Sequence, residues 1–149
     1  MKSWIKKLLI IAIAVVVLGA IAVWYIFNEK FTDTLKVDAS YNVDAQSFLK
    51  EFTKNDTLAN KKYVEKIITV NGIISEVETM DSTINLKMTD TITNAYIIFA
   101  FQNEQIEKIK LLKEGDKVSI KGSCSGGVYS DILETETINF KRCILNKQP

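Results

Sequence analysis

The chain has no histidine, two cysteines (Cys124 and Cys143) and six glycines in 149 residues. The missing histidine removes the commonest general base and the commonest metal ligand together. Two cysteines cannot supply the four ligands of a structural zinc site, so no metal is expected. There is no Gly-rich phosphate loop, no G-x-S-x-G elbow and no H-E-x-x-H. Those absences exclude the common P-loop, α/β-hydrolase and zincin chemistries. The acidic pairs Glu76/Glu78 and Glu134/Glu136 have the spacing of a solvated strand or loop. A catalytic carboxylate needs a perturbing, buried environment, which spacing alone does not provide. The chain therefore reads as a non-enzyme with no catalytic residues and no cofactor.

A basic excess is also missing. Residues 1–27 hold three lysines and no acid, residues 28–60 four lysines and six acids, and residues 61–149 twelve of each sign. The part beyond residue 27 thus lacks the positive footprint of nucleic-acid binding, which argues against a nucleic-acid partner.

What the chain does have is one long apolar run, residues 8–27, beginning at Leu8 and ending at Phe27, without charge or proline. As a helix it would extend roughly 30 Å, the hydrocarbon thickness of a bilayer. Lys2, Lys6 and Lys7 precede it and Lys30 alone follows closely. That asymmetry predicts a cytoplasmic N-terminus and an extracytoplasmic C-terminal part. A cleaved signal peptide is the competing reading, with Ala20-Ile21-Ala22 as its cleavage motif. Against cleavage, Val23 to Phe27 stay apolar and Trp4, Trp24 and Tyr25 fit two interfacial belts. The expectation is a single-pass inner-membrane protein with the lipid bilayer as partner through residues 8–27 and a periplasmic domain. Its divisions are 1–27 for the cytoplasmic n-region and signal-anchor helix, 28–43 for a juxtamembrane linker, and 44–149 for a helical lead-in plus the folded domain.

Within that domain Asp44 has the chemistry of an N-cap, with Val43 and Phe48 spaced as a hydrophobic staple. Phe48, Leu49 and Phe52 then mark one helical face. Asn55-Asp56 interrupts it, and Asp56 can cap a second short helix carrying Leu58, Ala59 and Tyr63. From Lys66 the period becomes two. Residues 66–75 read as a strand bent at Gly72, residues 83–88 as a second strand and residues 96–101 as a third. Ile106, Ile109 and Leu112 predict a helix of about three turns ending at Gly115. Residues 117–121 supply a fourth strand, residues 123–131 a turn, and Ile138, Phe140, Cys143 and Leu145 a fifth strand with an irregularity near Lys141-Arg142. Strand, strand, strand, helix, strand, strand is the order of a mainly β, five-stranded OB-fold Greek-key barrel.

Three stretches carry a family likeness: NDTLANKKYVEKIITVNGIISEVE, LLKEGDKVSIKGSCSGG and ETINFKRCIL. The matching positions are Ala59, Lys61, Lys62 and Tyr63; Val70 and Gly72; Gly115, Asp116, Val118, Gly122, Cys124 and Gly126; and Cys143. Over roughly residues 55–146 the chain resembles the tRNA_anti-like family of bacterial OB-fold proteins. The resemblance implies the fold and brings no activity with it.

OB barrels bind with strands two and three and the adjoining loops. The candidate binding face is therefore Asn85, Lys87, Tyr96, Ile98 and Tyr129. The expected function is a membrane-anchored extracytoplasmic module for a protein, peptide or glycan. The alternatives are a structural or envelope-assembly component without its own ligand site, and a single-stranded nucleic-acid binder. An oxidising compartment and the absence of a competing third thiol predict a disulfide between Cys124 and Cys143.

Overall fold

The structure, a computed structural model, describes residues 3–27, 34, 36–80, 83–101 and 103–146, without side chains for residues 3, 5, 6, 9 and 25–27. The chain divides into two compact units, Met1–Thr32 and Asp33–Pro149.

The first unit holds a 25-residue helix, α1 (Ser3–Phe27). Its apolar side chains are exposed all round, with Ile10 at 65 %, Val16 at 71 % and Leu18 at 67 % of their full surface. Among the described residues no helix is long and apolar enough to cross a membrane.

The second unit begins with a short strand, β1 (Tyr41–Asp44), where the sequence suggested the end of a linker. The earlier linker positions 28–33 and 35 lie outside the described residues. Asp44 caps α2 (Ala45–Lys54) as expected, its carboxylate accepting from the Ser47 amide at 3.1 Å. The next helix, α3 (Asp56–Tyr63), is capped by Asn55 rather than Asp56, with the Leu58 amide 2.9 Å from Asn55 Oδ1. Asn55 wins because it sits one residue earlier, where the backbone is still extended.

Six further strands follow: β2 (Ile67–Ile73), β3 (Glu76–Met80), β4 (Thr83–Thr89), β5 (Tyr96–Phe101), β6 (Lys117–Ser130) and β7 (Thr135–Leu145). All seven strands form one sheet in the order β1-β2-β6-β7-β5-β4-β3. The β1–β2 and β5–β7 pairs are parallel and the others antiparallel. Among the described residues no ladder joins β1 to β3. The hydrogen bonding therefore draws an open seven-stranded sheet instead of the expected closed five-stranded barrel.

Both extra strands have a local cause. Residues 41–44 pair with β2, adding β1. The expected first strand, residues 66–75, ends as β2 at Ile73, and after Ile74-Ser75 the chain continues into β3, which the sequence reading did not anticipate. There Ile74 exchanges backbone bonds with Gly115 and Asp116, whereas the Ser75 amide turns to Lys87 O at 2.8 Å. One continuous segment thus reaches both the β6 side and the β4 side of the sheet. Gly72 is not the bend. A Cβ there would lie 2.7 Å from both Ala45 Cβ and Met88 Sδ, so this glycine admits the start of α2.

The core lies between the sheet and α2–α3. Phe48 is its hub, with ring centroids 5.0 Å from Phe52, 4.9 Å from Tyr63 and 5.8 Å from Phe140. The predicted three-turn helix is shorter than expected: a 3-10 turn (Asn103–Gln105) and then α4 (Ile106–Ile109). Only Ile109 of its apolar set is fully buried; Ile106 and Leu112 pack partly on the core. Gly115 follows in the left-handed region at φ 90°, as its capping chemistry anticipates.

The predicted disulfide is not formed, and both cysteines are free and buried. The register explains it. Cys124 opposes Phe140, while Lys121 and Ser123 oppose Ile144 and Lys141, which places Cys143 across from Gly122. Its Sγ fills the space that a Cβ on Gly122 would take. Burial pushes the Cys124 thiol up to about 11 and the Cys143 thiol higher still, so both behave as small apolar core groups.

Candidate binding surfaces

In β4 and β5 alternate residues point to opposite sides. Ile84, Leu86, Met88, Ile97 and Phe99 are buried, which leaves Asn85, Lys87, Tyr96 and Ile98 on the outer face. The register makes them neighbours, with Lys87 across from Ile98 and Asn85 across from Ala100. Four of the five expected binding residues are thus brought together.

The same face carries two residues that the sequence reading set aside as solvated. Glu76 and Glu78 of β3 oppose Lys87 and Asn85. Lys87 Nζ bonds Glu78 Oε1 and, at 3.2 Å, Glu76 Oε2. It also lies 5.4 Å from the Tyr96 ring centroid. The Glu78 carboxylate holds the Lys87 ammonium above the usual lysine value, with Glu76 adding to it and burial opposing it. The i, i+2 spacing of Glu76 and Glu78 was the available signal, since such residues share a strand face. β3, β4 and β5 together contain this one lysine and two glutamates and no other charge.

Tyr129 belongs elsewhere. On β6 it opposes Glu136 of β7, and the two line a cavity of about 430 Å³ with Phe52, Asn55 and Asp56 of the α2–α3 junction and with Glu134. Thr93 closes it from the β4–β5 turn, which is tied to β7 by the Thr135 hydroxyl donating to Asn94 O at 2.8 Å.

Glu136 and Phe52 are packed against Gly127 of β6. Asn60 of α3 donates to Gly127 O at 2.9 Å and accepts from the Gly127 amide at 2.8 Å. Phe52 and Glu136 crowd the same glycine, both within 2.5 Å of where a Cβ would stand. Glu136 is 3 % exposed and its Oε1 has no hydrogen-bond partner. Burial, with a contribution from the Asp56 charge, raises its carboxyl above the ordinary glutamate value.

An acid whose carboxyl is raised in the folded state above its unfolded value makes stability fall as pH rises through the interval between the two. Glu136→Gln removes this penalty. The variant should exceed the parent at pH 7 by on the order of 1 kcal/mol, the size of one buried unpartnered polar group. The gain should vanish below about pH 4, where the unfolded carboxyl is also protonated. Urea melts at the two pH values measure it, and a less stable variant at pH 7 would contradict the assignment.

A family model described as tRNA_anti-like matches residues 1–136 of the chain. No curated protein matches it in sequence. Among solved structures, a candidate nucleic acid-binding lipoprotein from Klebsiella pneumoniae aligns with a TM-score of 0.50 at 19 % identity, over 73 % of this chain and 92 % of that one. A candidate aspartyl-tRNA synthetase from Leishmania major aligns at 0.47 and 8 % identity, over 82 % of this chain and 22 % of that one. The aspartyl-tRNA synthetase of Entamoeba histolytica gives 0.44 and 13 %, over 77 % and 23 %. At these identities the likeness concerns the fold.

Proposed function

Since the chain belongs to the tRNA_anti-like family, we propose that it is a membrane-tethered OB-type binding module whose outer β3–β5 face engages a protein, peptide or glycan outside the cytoplasm. The anchor is α1. A helix that is apolar on every side needs a hydrocarbon or protein environment, and the uncharged length of residues 8–27 fits a bilayer. Three lysines before it and one close after it set the N-terminus inside. In the OB reading, residues 67–80 are the bent first strand shared by both sides of the barrel.

One observation carries the choice of ligand: Lys87, the sole cation of the face, is held by Glu76 and Glu78. A single-stranded nucleic acid needs a positive groove with stacking aromatics. Tyr96 could stack, yet this face bears a net negative charge and Lys87 already covers the Tyr96 ring. The alternative, nucleic-acid binding, is favoured by the description of the Klebsiella lipoprotein. Two measurements separate them. A photo-crosslinking amino acid at Asn85 or Tyr96 in whole cells should capture an envelope component. Single-stranded oligonucleotides should bind the purified chain with Kd above roughly 100 µM at physiological salt, in the non-specific range. Submicromolar oligonucleotide binding with a steep salt dependence would transfer the assignment to nucleic acid.

A further inference from the structure

Two turns at one end of the sheet carry the two most exposed large apolar side chains among the described residues. Ile92 of the β4–β5 turn is 85 % exposed, and Ile132 of the β6–β7 turn is 93 % exposed with Leu133 beside it at 66 %. The turns are neighbours, because the Thr135 hydroxyl donates to Asn94 O at 2.8 Å and Thr93 and Glu134 line one cavity. Neither turn needs an apolar residue at its apex, where Gly, Asn, Asp or Ser serves the backbone better. Single exposed apolar residues need no explanation, but several gathered at one place mark a contact surface. Tyr129, half-exposed just before the β6–β7 turn, adds an aromatic ring with a polar tip.

Shape and tether together decide what covers them. Two protruding turn tips offer no groove to a protein partner, whereas a fluid lipid layer accepts them without a matching surface. The chain is already fixed on the folded unit well before β1: Thr34 is buried, Val37 O accepts from Lys121 Nζ at 3.1 Å, and the Ser40 amide donates to Ile67 O at 2.7 Å. In the anchored reading only residues 28–33 then separate the apolar run from this unit, at most roughly 25 Å of extended chain. The unit is thereby kept at the bilayer surface. Its strands also point the right end toward the tether. β1 begins at Tyr41 opposite Ile68, and β2 begins opposite Ser123, from which β6 runs on to Ser130. Both tips therefore stand at the end of the sheet from which the chain enters β1.

We propose that these tips dip into the bilayer that holds the anchor, with Ile92, Ile132 and Leu133 in the acyl region and the Tyr129 ring at headgroup level. Asp131 and Glu134 bound the apolar pair and stay in water, which keeps the insertion shallow and favours neutral over anionic headgroups. Such contact rests on α1 being the anchor, and it leaves Asn85 and Lys87 open to their ligand.

The test uses the full chain in phosphatidylcholine nanodiscs, carrying one environment-sensitive fluorophore on Ile92→Cys, Ile132→Cys or Leu111→Cys. Leu111 is the control: it is 79 % exposed but lies between α4 and β6, at the other end of the sheet. Cys124 and Cys143 are buried, so the parent chain should take up no label. Lipid brominated on its acyl chains near the headgroup should quench the label at Ile92→Cys and Ile132→Cys at least twofold and leave Leu111→Cys unchanged. Ile132→Asp with Leu133→Asp should abolish the quenching at Ile92→Cys while the melting temperature holds, since both side chains are exposed. Replacing part of the lipid by phosphatidylglycerol should reduce the quenching. Tips that stay unquenched while the chain remains in the disc overturn the proposal and leave the anchor standing. Blue-shifted but unquenched labels overturn it in favour of a covering protein surface. A chain that does not enter the disc overturns the anchor and this contact together. Equal quenching at Leu111→Cys overturns the choice of these tips, and quenching that rises with phosphatidylglycerol overturns the preference for neutral headgroups.

Discussion

Phe48→Ala should destabilise the protein by about 3–5 kcal/mol, the usual cost of deleting a fully buried aromatic ring. Phe48 is 1 % exposed and its ring meets those of Phe52, Tyr63 and Phe140. The cavity would open where α2, the end of α3 and β7 converge, and none of these can close it without moving the others. Small domains keep roughly 5–15 kcal/mol in all, so a fifth or more of the stability rests on one ring. Denaturant melts of the full chain should show the midpoint falling with an unchanged slope. A loss below about 1 kcal/mol, typical of a mildly perturbing substitution, would mean that α2 is an appendage to the sheet and not a wall of its core.

Gly127→Ala is the second large effect, expected at about 1–3 kcal/mol as an overpacking cost. The backbone at Gly127 needs no positive φ, unlike its neighbour Gly126 at φ 108°. The added methyl would instead meet Phe52 Cδ1 and Glu136 Oε1, each at 2.5 Å. The Glu136 carboxylate could turn away, but the Phe52 ring is packed against Phe48 and stacked near Tyr63. An unchanged melt for Gly127→Ala would show that α2 does not press on β6 at this point.

That glycine also explains why part of the fold was hidden from the sequence. Ser123 to Asp131 has the composition of a turn, and a turn was the expectation; the residues form the second half of β6. Gly126 and Gly127 are there because α2 and α3 lie directly on the strand, with Asn60 bonded to the Gly127 backbone on both sides. Local composition does not distinguish a glycine that turns the chain from one that admits a neighbour. Gly72 misled in the same way, since its space is taken by Ala45 and Met88.

Periodicity, by contrast, was informative wherever one face of an element is buried. The alternation of Ile84, Leu86 and Met88 placed Asn85 and Lys87 outward, and the spacing of Phe48, Leu49 and Phe52 marked the buried side of α2. The charge balance of the face was not legible, because it depends on which strand pairs with β4. Once β3 is that strand, Glu76 and Glu78 turn from solvent-facing acids into partners of Lys87. Glu136 was less legible still. Nothing in TETINF sets its glutamate apart from Glu134 until α2 is laid over it.

The position of β7 has a consequence for how the molecule is made. It is the last strand in the chain yet an interior one in the sheet, held between β6 and β5. Until residues 135–145 are available, β5 lacks one of its two neighbours and β6 keeps an open edge, with Phe140 absent from the rings around Phe48. Contacts between segments so distant in sequence form slowly, since the loop must close before they stabilise anything. A chain emerging N-terminus first would thus stay unfolded through most of its synthesis, with β5 and β6 exposed as unpaired edges in the interval. The sheet would be completed only when β7 arrives.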